Sequence, residues 1–371
     1  MRLSRRDTSP PRNEQRPGTG AAPPPADAPP AGDPLADDPS AKAIPPVREM
    51  EGGPDSPLEI GKTGWLNTAK RTGKKFSQDR CSMAAGSLAY HWFLALFPAL
   101  IALLGVVSLV HLDVNQVNNL VKGLSKALPG GANQLFTNAV TAATDHKPSG
   151  SLITIIIGVV LAIWSASGGM VALETALDVA YEVRTNAKFV KKRTKAFTLM
   201  LCTVVFGGIA SILIVEGAPL GNEISSLISF HGTGFNVVWD IVRWAITIVL
   251  VSLLFSSYYY FGPNRESPKW QWVSPGGLVG TIIFLAASLG LSFYISAFGS
   301  SSYSKTYGAL AGVVLLMLWL YLAGIAILLG GEINAEVERE AAAQAGHPGA
   351  QASAQTVEQS SASPSSNRAS S

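Results

Sequence analysis

Cysteine, histidine and charge are all scarce in this chain of 371 residues. The two cysteines, Cys81 and Cys202, stand in or beside apolar segments without CxxC spacing, which argues against a disulfide scaffold and for free packing thiols. The five histidines, His91, His111, His146, His231 and His347, are scattered singly, with no HxH or HxxxH pair. A metal-dependent nuclease or hydrolase needs clustered His and carboxylate ligands to hold an ion and activate water, and that pattern is missing. There is no Walker A loop, no GxSxG elbow and no GxGxxG after a strand. Charged residues make up only 14% of the chain, against about 25% in a typical globular protein. A net charge of +3 is too small to make the whole chain a nucleic-acid binder. The expectation is a protein that is not an enzyme, with no cofactor, no metal and no nucleic-acid partner.

What is present is unevenly spread. Of the 23 prolines, 14 fall in the first 60 residues, beside many Gly, Ala and Asp. Residues 1–61 cannot bury enough apolar surface to offset their ordering entropy and read as a disordered tail. Arg2, Arg5 and Arg6 are followed by no apolar h-region, so this start is not an export signal. Residues 339–371, rich in Ala, Gln and Ser, read as a second tail. Between the tails, residues 83–338 hold six apolar runs, at about 83–110, 152–173, 196–216, 237–261, 275–298 and 309–331. Each is long enough for the roughly 20 helical residues that cross a bilayer. In lipid only helices or closed barrels satisfy every backbone group, and the alternation of a barrel is absent. The expected fold is therefore all-α, a polytopic bundle of six transmembrane helices. Pro98 lies inside the first and longest run, where a bend or tilt is expected.

Orientation follows from the short connections. One side carries Lys62, Lys70, Arg71, Lys74, Lys75 and Arg80 before the first span. The same side carries Arg184, Lys188, Lys191, Lys192, Arg193 and Lys195 between the second and third, and Arg265 and Lys269 between the fourth and fifth. The other side offers Lys122, Lys126, Lys147 and Lys305, with Arg243 just inside the fourth span. The positive-inside rule then places both termini in the cytoplasm. Residues 62–82 form a basic segment in which Trp65, Ala69 and Phe76 share one helical face and most lysines the other, the pattern of an interfacial helix resting on anionic lipid. On the opposite side, residues 111–150 show two short amphipathic patterns about Pro129, Gly130 and Gly131, a small extracytoplasmic helical cap.

Several phrases, taken in order, resemble the YihY/BrkB family of bacterial inner-membrane proteins. They are Asp79 followed by AAGSLAYHWFLALFPAL, then WSASGGMVALETALDVAYEV at 164–183, and YYYFGPN at 258–264 with Trp272, Pro275 and Gly276. FG at 298–299, YGALAG from Tyr307 and LLMLWLYLAGIAILLGGEINAEVER at 315–339 complete the set. Departures are modest: His91 stands where another Tyr is expected and Asp178 where Asn is common. The long Pro-rich start lies outside the family core, as in actinobacterial members. The resemblance implies six membrane helices in the bacterial inner membrane. It implies little about activity, because members carry ribonuclease BN, virulence or serum-resistance labels, and transport has been suggested.

Within the apolar spans a limited set of polar residues stands out. Glu174, Asp178 and Glu182 are spaced four apart on one helical face. They form either an acidic stripe entering a solute or proton path or a helix end facing the basic run 188–195. Glu332, Glu336 and Glu340 repeat the spacing, with Asn334 between, and read first as a solvated helical extension. Tyr90, His91, Trp164, Ser165 and Ser167 supply either polar lining deeper in or hydrogen-bonding glue between helices. The pathway candidates are thus Tyr90, His91, Trp164, Ser165, Ser167, Glu174, Asp178, Glu332 and Asn334. Small residues at four-residue spacing, Gly276 with Gly280 and Gly308 with Gly312, point to close helix packing, with Pro98 as a helix-packing or hinge position. The leading reading is a transporter or channel-like protein for a small solute or lipid. A non-catalytic envelope or scaffold protein follows, and a membrane-bound ribonuclease is more distant. The expected partners are the bilayer itself, anionic lipids at the cytoplasmic face and, optionally, a second copy of the chain.

Overall fold

A computed structural model of the chain describes residues 54–109, 152–183, 188–227, 233–265, 269–298 and 309–346, together with residue 350. All regular structure among these residues is helical. A short 3₁₀ turn, Pro57–Ile60, leads into α1 (Gly61–Gln78), and α2 (Cys81–Leu109) follows after a two-residue turn. Then come α3 (Leu152–Ala180), α4 (Phe189–Cys202), a π-helical turn at Thr203–Gly207 and α5 (Gly208–Leu227). The last three helices are α6 (Thr233–Phe261), α7 (Trp270–Phe298) and α8 (Ala309–Gln344). Among the described residues, four stretches are long and apolar enough to cross a membrane: Phe189–Ile214, Gly234–Phe261, Trp270–Ala297 and Ala311–Gln344. The segments expected to form the extracytoplasmic cap, most of both tails, Gly308 and the four histidines other than His91 lie outside the described residues.

α8 is the centre of the bundle. It packs against α7, α2, α1 and α3, while α2 pairs with α3, α6 with α7, and α5 with α6. The main core draws Leu88 from α2, Leu173 and Leu177 from α3, Leu199 from α4, Phe255 and Tyr259 from α6, Val273 from α7 and Leu328 from α8. A second cluster gathers Ile60, Trp272, Val337 and Ala341 below it. α8 reaches that level because EINAEVEREAAAQ continues its apolar run with strong helix formers. The extension is not solvated, in contrast to the first reading of its spacing. Glu332, Glu336 and Glu340 are all buried, because α1 lies alongside this stretch and covers it.

The face that α1 buries also differs from the apolar one read in its sequence. Gly64, Thr68, Arg71 and Thr72 point inward, whereas Ala69 is exposed and Trp65 and Phe76 are half-buried. A Cβ at Gly64 would overlap Ile60 and touch Gln344 and Glu340, so glycine sets the closeness of α1 to α8 there. Other crossings rest on glycine as well. A side chain at Gly276 would collide with the Gly330 carbonyl and Asn334, and one at Gly330 with the Tyr259 hydroxyl and the Gly276 carbonyl. Gly280 sits close to the Ala326 carbonyl and Phe255, and Gly312 is buried. α2 runs unbroken through Pro98, and the irregular helical turn lies instead between α4 and α5.

Candidate functional site

Polar groups collect at one end of the bundle, where α1, the ends of α3 and α8, and the α6–α7 turn meet. Two backbone features shape this end. Arg80 and Glu182 are non-glycine residues in the left-handed region, at φ 51° and 52°. Arg80 turns the chain from α1 into α2 directly after Asp79. Glu182 stops α3, with the Glu182 and Val183 N–H groups donating to the Val179 and Asp178 carbonyls at 2.9 and 2.8 Å. The expected stripe Glu174, Asp178, Glu182 therefore breaks after Ala180, and Glu182 turns away to pair with Lys75 and Arg339.

The three acids thus have three different surroundings. Glu174 is 0% exposed, and neither of its oxygens has a hydrogen-bond partner. Asp178, half-buried, accepts the Asn264 backbone N–H at 2.7 Å. Lys195 donates to the Pro263 carbonyl at 2.9 Å from the other side of the same turn. Lys191, Lys192 and Lys195 lie within electrostatic reach of Glu174, and Lys192 and Lys195 of Asp178.

On α8 the arginines divide the acids between them. Arg71 reaches from α1 to Glu336, Nε to Oε2 at 3.0 Å, and to Glu340, while Arg339 also holds Glu336. The Nη1 of Arg265 meets both oxygens of Glu338 at 2.7 Å, and its guanidinium lies over the Tyr181 ring, 4.2 Å from the centroid. Glu332 has no such partner; its Oε1 receives the Cys81 thiol at 3.3 Å. Burial holds the Asp79 carboxyl above its usual range, against the pull of nearby Lys75. Cys81 and Cys202 are both free.

Asn334 is fully committed to α7. Its Oδ1 accepts the Gly276 N–H at 2.7 Å and its Nδ2 donates to the Val273 carbonyl at 3.0 Å. Pro275, between them, has no N–H, and the Asn334 amide bridges the backbone around it. The remaining expected residues lie elsewhere. Tyr90 is 54% exposed and Trp164 61% exposed, and His91 is exposed with Nδ1 at 2.8 Å from the Ser87 carbonyl. Arg193 stacks on the Trp164 ring at 3.9 Å and donates to the Trp164 carbonyl. Ser167 is buried and bonded to the same carbonyl, and Ser165 is half-buried. The structure therefore brings Asp178, Glu332 and Asn334 to the polar end with Glu174, and leaves Tyr90, His91 and Trp164 on outer faces of α2 and α3.

Beside the α6–α7 turn, Lys195, Thr198, Tyr260, Phe261, Pro263 and Arg265 line a cleft of about 220 Å³. It is smaller than a typical ligand pocket, and its two cations already hold the turn and Glu338. Among the described residues no group of three or more His, Cys, Asp or Glu side chains is arranged to hold a metal ion.

A family model described as Virulence factor BrkB matches residues 72–355. The chain belongs to the BrkB family. Among curated relatives it is 34% identical to the "Putative ribonuclease-like protein YfkH" of Bacillus subtilis (strain 168), over 68% of this chain and 88% of that protein. It is 30% identical to the "UPF0761 membrane protein azo3165" of Azoarcus sp. (strain BH72), over 71% of this chain and 61% of that one. A 26% identity links it to the "UPF0761 membrane protein PBPRA3489" of Photobacterium profundum, over 75% and 85% of the two chains. No solved structure matches. With its long apolar helices, this BrkB-family chain is a multi-pass membrane protein. The phrases that mark the family have physical roles in it. FGPN at 261–264 is the turn clamped by Asp178 and Lys195, and the Pro-Gly of α7 is the crossing closed by Gly330 and Asn334.

Arg71, Arg339, the Arg265–Glu338 pair and the Asp79–Cys81 turn were not among the expected site residues. In the sequence Arg71 is one of many cations in a basic helix. Its position on the small-residue face Gly64, Thr68, Thr72 was the one local signal that it points inward.

Proposed function

We propose that this protein is a transporter or channel-like protein for a small solute or lipid in the bacterial inner membrane, with six spans and both termini in the cytoplasm. The observation that carries the reading is Glu174, a carboxyl with no exposure and no hydrogen-bond partner near the end of a 29-residue apolar helix. A carboxyl left so inside a membrane bundle is costly, and such groups mark ion and solute paths. Asp178 and three lysines in its neighbourhood supply a charged inner mouth, and the basic connections at this end support its cytoplasmic placement. The α2 and α3 helices supply the fifth and sixth spans.

The test is flux in liposomes containing the purified full chain, over a panel of ions, amino acids and lipids. Glu174→Gln is expected to abolish flux while membrane insertion stays normal. A Glu174→Gln/Asp178→Asn double variant that transports like the parent would remove both residues from the mechanism. A second reading, a non-catalytic envelope or scaffold protein, is favoured by Asp178, Asn334 and Arg265, whose polar groups are spent on ties between elements. It predicts no flux with any solute, and loss of function only when assembly is disturbed.

A further inference from the structure

Four acids at the polar end are in ion pairs. Glu336, Glu338 and Glu340 hold arginines, and Glu182 holds Lys75 and Arg339. Near the seam of α1, α2 and α8, Glu332 and Asp79 do not. Glu332 is 0% exposed, and its Oε2 is buried without a donor. The Asp79 carboxyl lies within hydrogen-bonding reach of Glu332, and its Oδ2 is likewise buried without a donor. A carboxylate has acceptors only, so two facing carboxylates cannot bond to each other, and they repel strongly where water is excluded. One proton changes this arrangement completely. It turns one group into a donor to the other and removes the repulsion between them.

We propose that Asp79 and Glu332 bind one proton between them, as an acid–carboxylate pair at the seam of the α1–α2 turn and α8. The charged and titratable groups facing the pair are Lys75 on α1, Cys81 on α2, Tyr181 and Glu182 after α3, and Glu336 and Arg339 on α8. Both cations in that set already hold Glu182, and Arg339 holds Glu336 as well, so neither is left over to neutralise the pair. The thiol is a weak donor and occupies only one Glu332 oxygen. Arg80, held left-handed against the steric preference of its Cβ, places Asp79 against α8. The site stands whether or not the protein moves a solute.

A hydrophobic carbodiimide reacts with protonated carboxyl groups and spares carboxylates. The full-length protein in detergent is treated with dicyclohexylcarbodiimide from about pH 5 to about pH 9, and adducts are mapped by mass spectrometry. At neutral pH an adduct is expected on Asp79 or Glu332, declining as pH rises, while Glu336, Glu338 and Glu340 stay unlabelled. In Asp79→Asn the like charge facing Glu332 is gone, so Glu332 labelling at neutral pH is expected to fall about tenfold or more. Absence of an adduct on both residues across the range overturns the proposal, as does Glu332 labelling that Asp79→Asn leaves unchanged. Should Asp79→Asn not fold, the labelling pattern of the unaltered protein decides alone. Labelling without flux removes the transport reading and keeps the pair, and flux without labelling does the reverse.

Discussion

Arg71→Met tests whether α1 is held to the bundle by one side chain. Arg71 carries two carboxylates, yet their loss is unequal. Glu336 keeps Arg339, whereas Glu340 keeps only the neutral amide of Gln344, which donates to its Oε1 at 3.1 Å. The substitution therefore strands one buried carboxylate. Breaking a buried pair from one side costs about 3–5 kcal/mol, and the remaining Gln344 bond argues for the lower end. At about 1.4 kcal/mol per decade, about 3 kcal/mol raises the population of undocked α1 about a hundredfold. The assay is limited trypsin digestion of the detergent-purified protein, following cleavage after Lys70 and Lys74 on the α1 backbone, since proteolysis of a locally opened segment tracks its open population. Cleavage is expected to accelerate by about that factor. Removing both charges in Arg71→Met/Glu340→Gln is expected to recover most of the protection. Glu340→Gln alone is expected to change little, because Arg71 retains Glu336. Because both partners are shielded from solvent, added salt has little effect on the parent. Parental cleavage rates in Arg71→Met would refute this account of α1 docking.

Two further substitutions probe the ties around the α6–α7 turn. Asn334→Leu removes the bonds to the Gly276 N–H and the Val273 carbonyl in a closed helix crossing, so the thermal midpoint in detergent is expected to drop by the equivalent of about 2 kcal/mol; an unchanged midpoint would show that the helix's own bonds suffice for both groups. Arg265→Lys keeps the charge but cannot chelate Glu338, reach the Tyr259 carbonyl and cover Tyr181 together. It is expected to destabilise nearly as much as Arg265→Gln, and a midpoint equal to the parent's would show that charge alone suffices.

The all-helical architecture was legible because hydrocarbon imposes strong local rules. Long apolar runs in lipid must be helices, and the helices α4–α5, α6, α7 and α8 fall over the runs read at 196–216, 237–261, 275–298 and 309–331. Gly276 and Gly280 read as packing positions for the same reason, since only small side chains let two backbones approach. The polar residues were less legible. Spacing placed Glu332, Glu336 and Glu340 on one face, but an i, i+4 pattern of acids looks the same whether water or another helix covers it. The difference is made by α1, whose docking brings Arg71 across 265 residues of chain to Glu336. Similarly, Asn334 stood beside an acidic stripe in sequence, and only the crossing with α7 shows both ends of its amide taken.

Composition and hydropathy by themselves determined the solvent of this protein, the helical nature of its spans and the concentration of positive charge at one end. These are properties of each segment in contact with lipid or water, and no knowledge of neighbours is needed to read them. Tertiary structure alone decided which carboxyl groups meet an arginine, which meet a backbone amide and which, as with Glu174 and the Asp79–Glu332 pair, meet neither. That outcome depends on how helices distant in sequence approach one another, and the energy of a buried charge is fixed by its partners rather than by its own place in the chain.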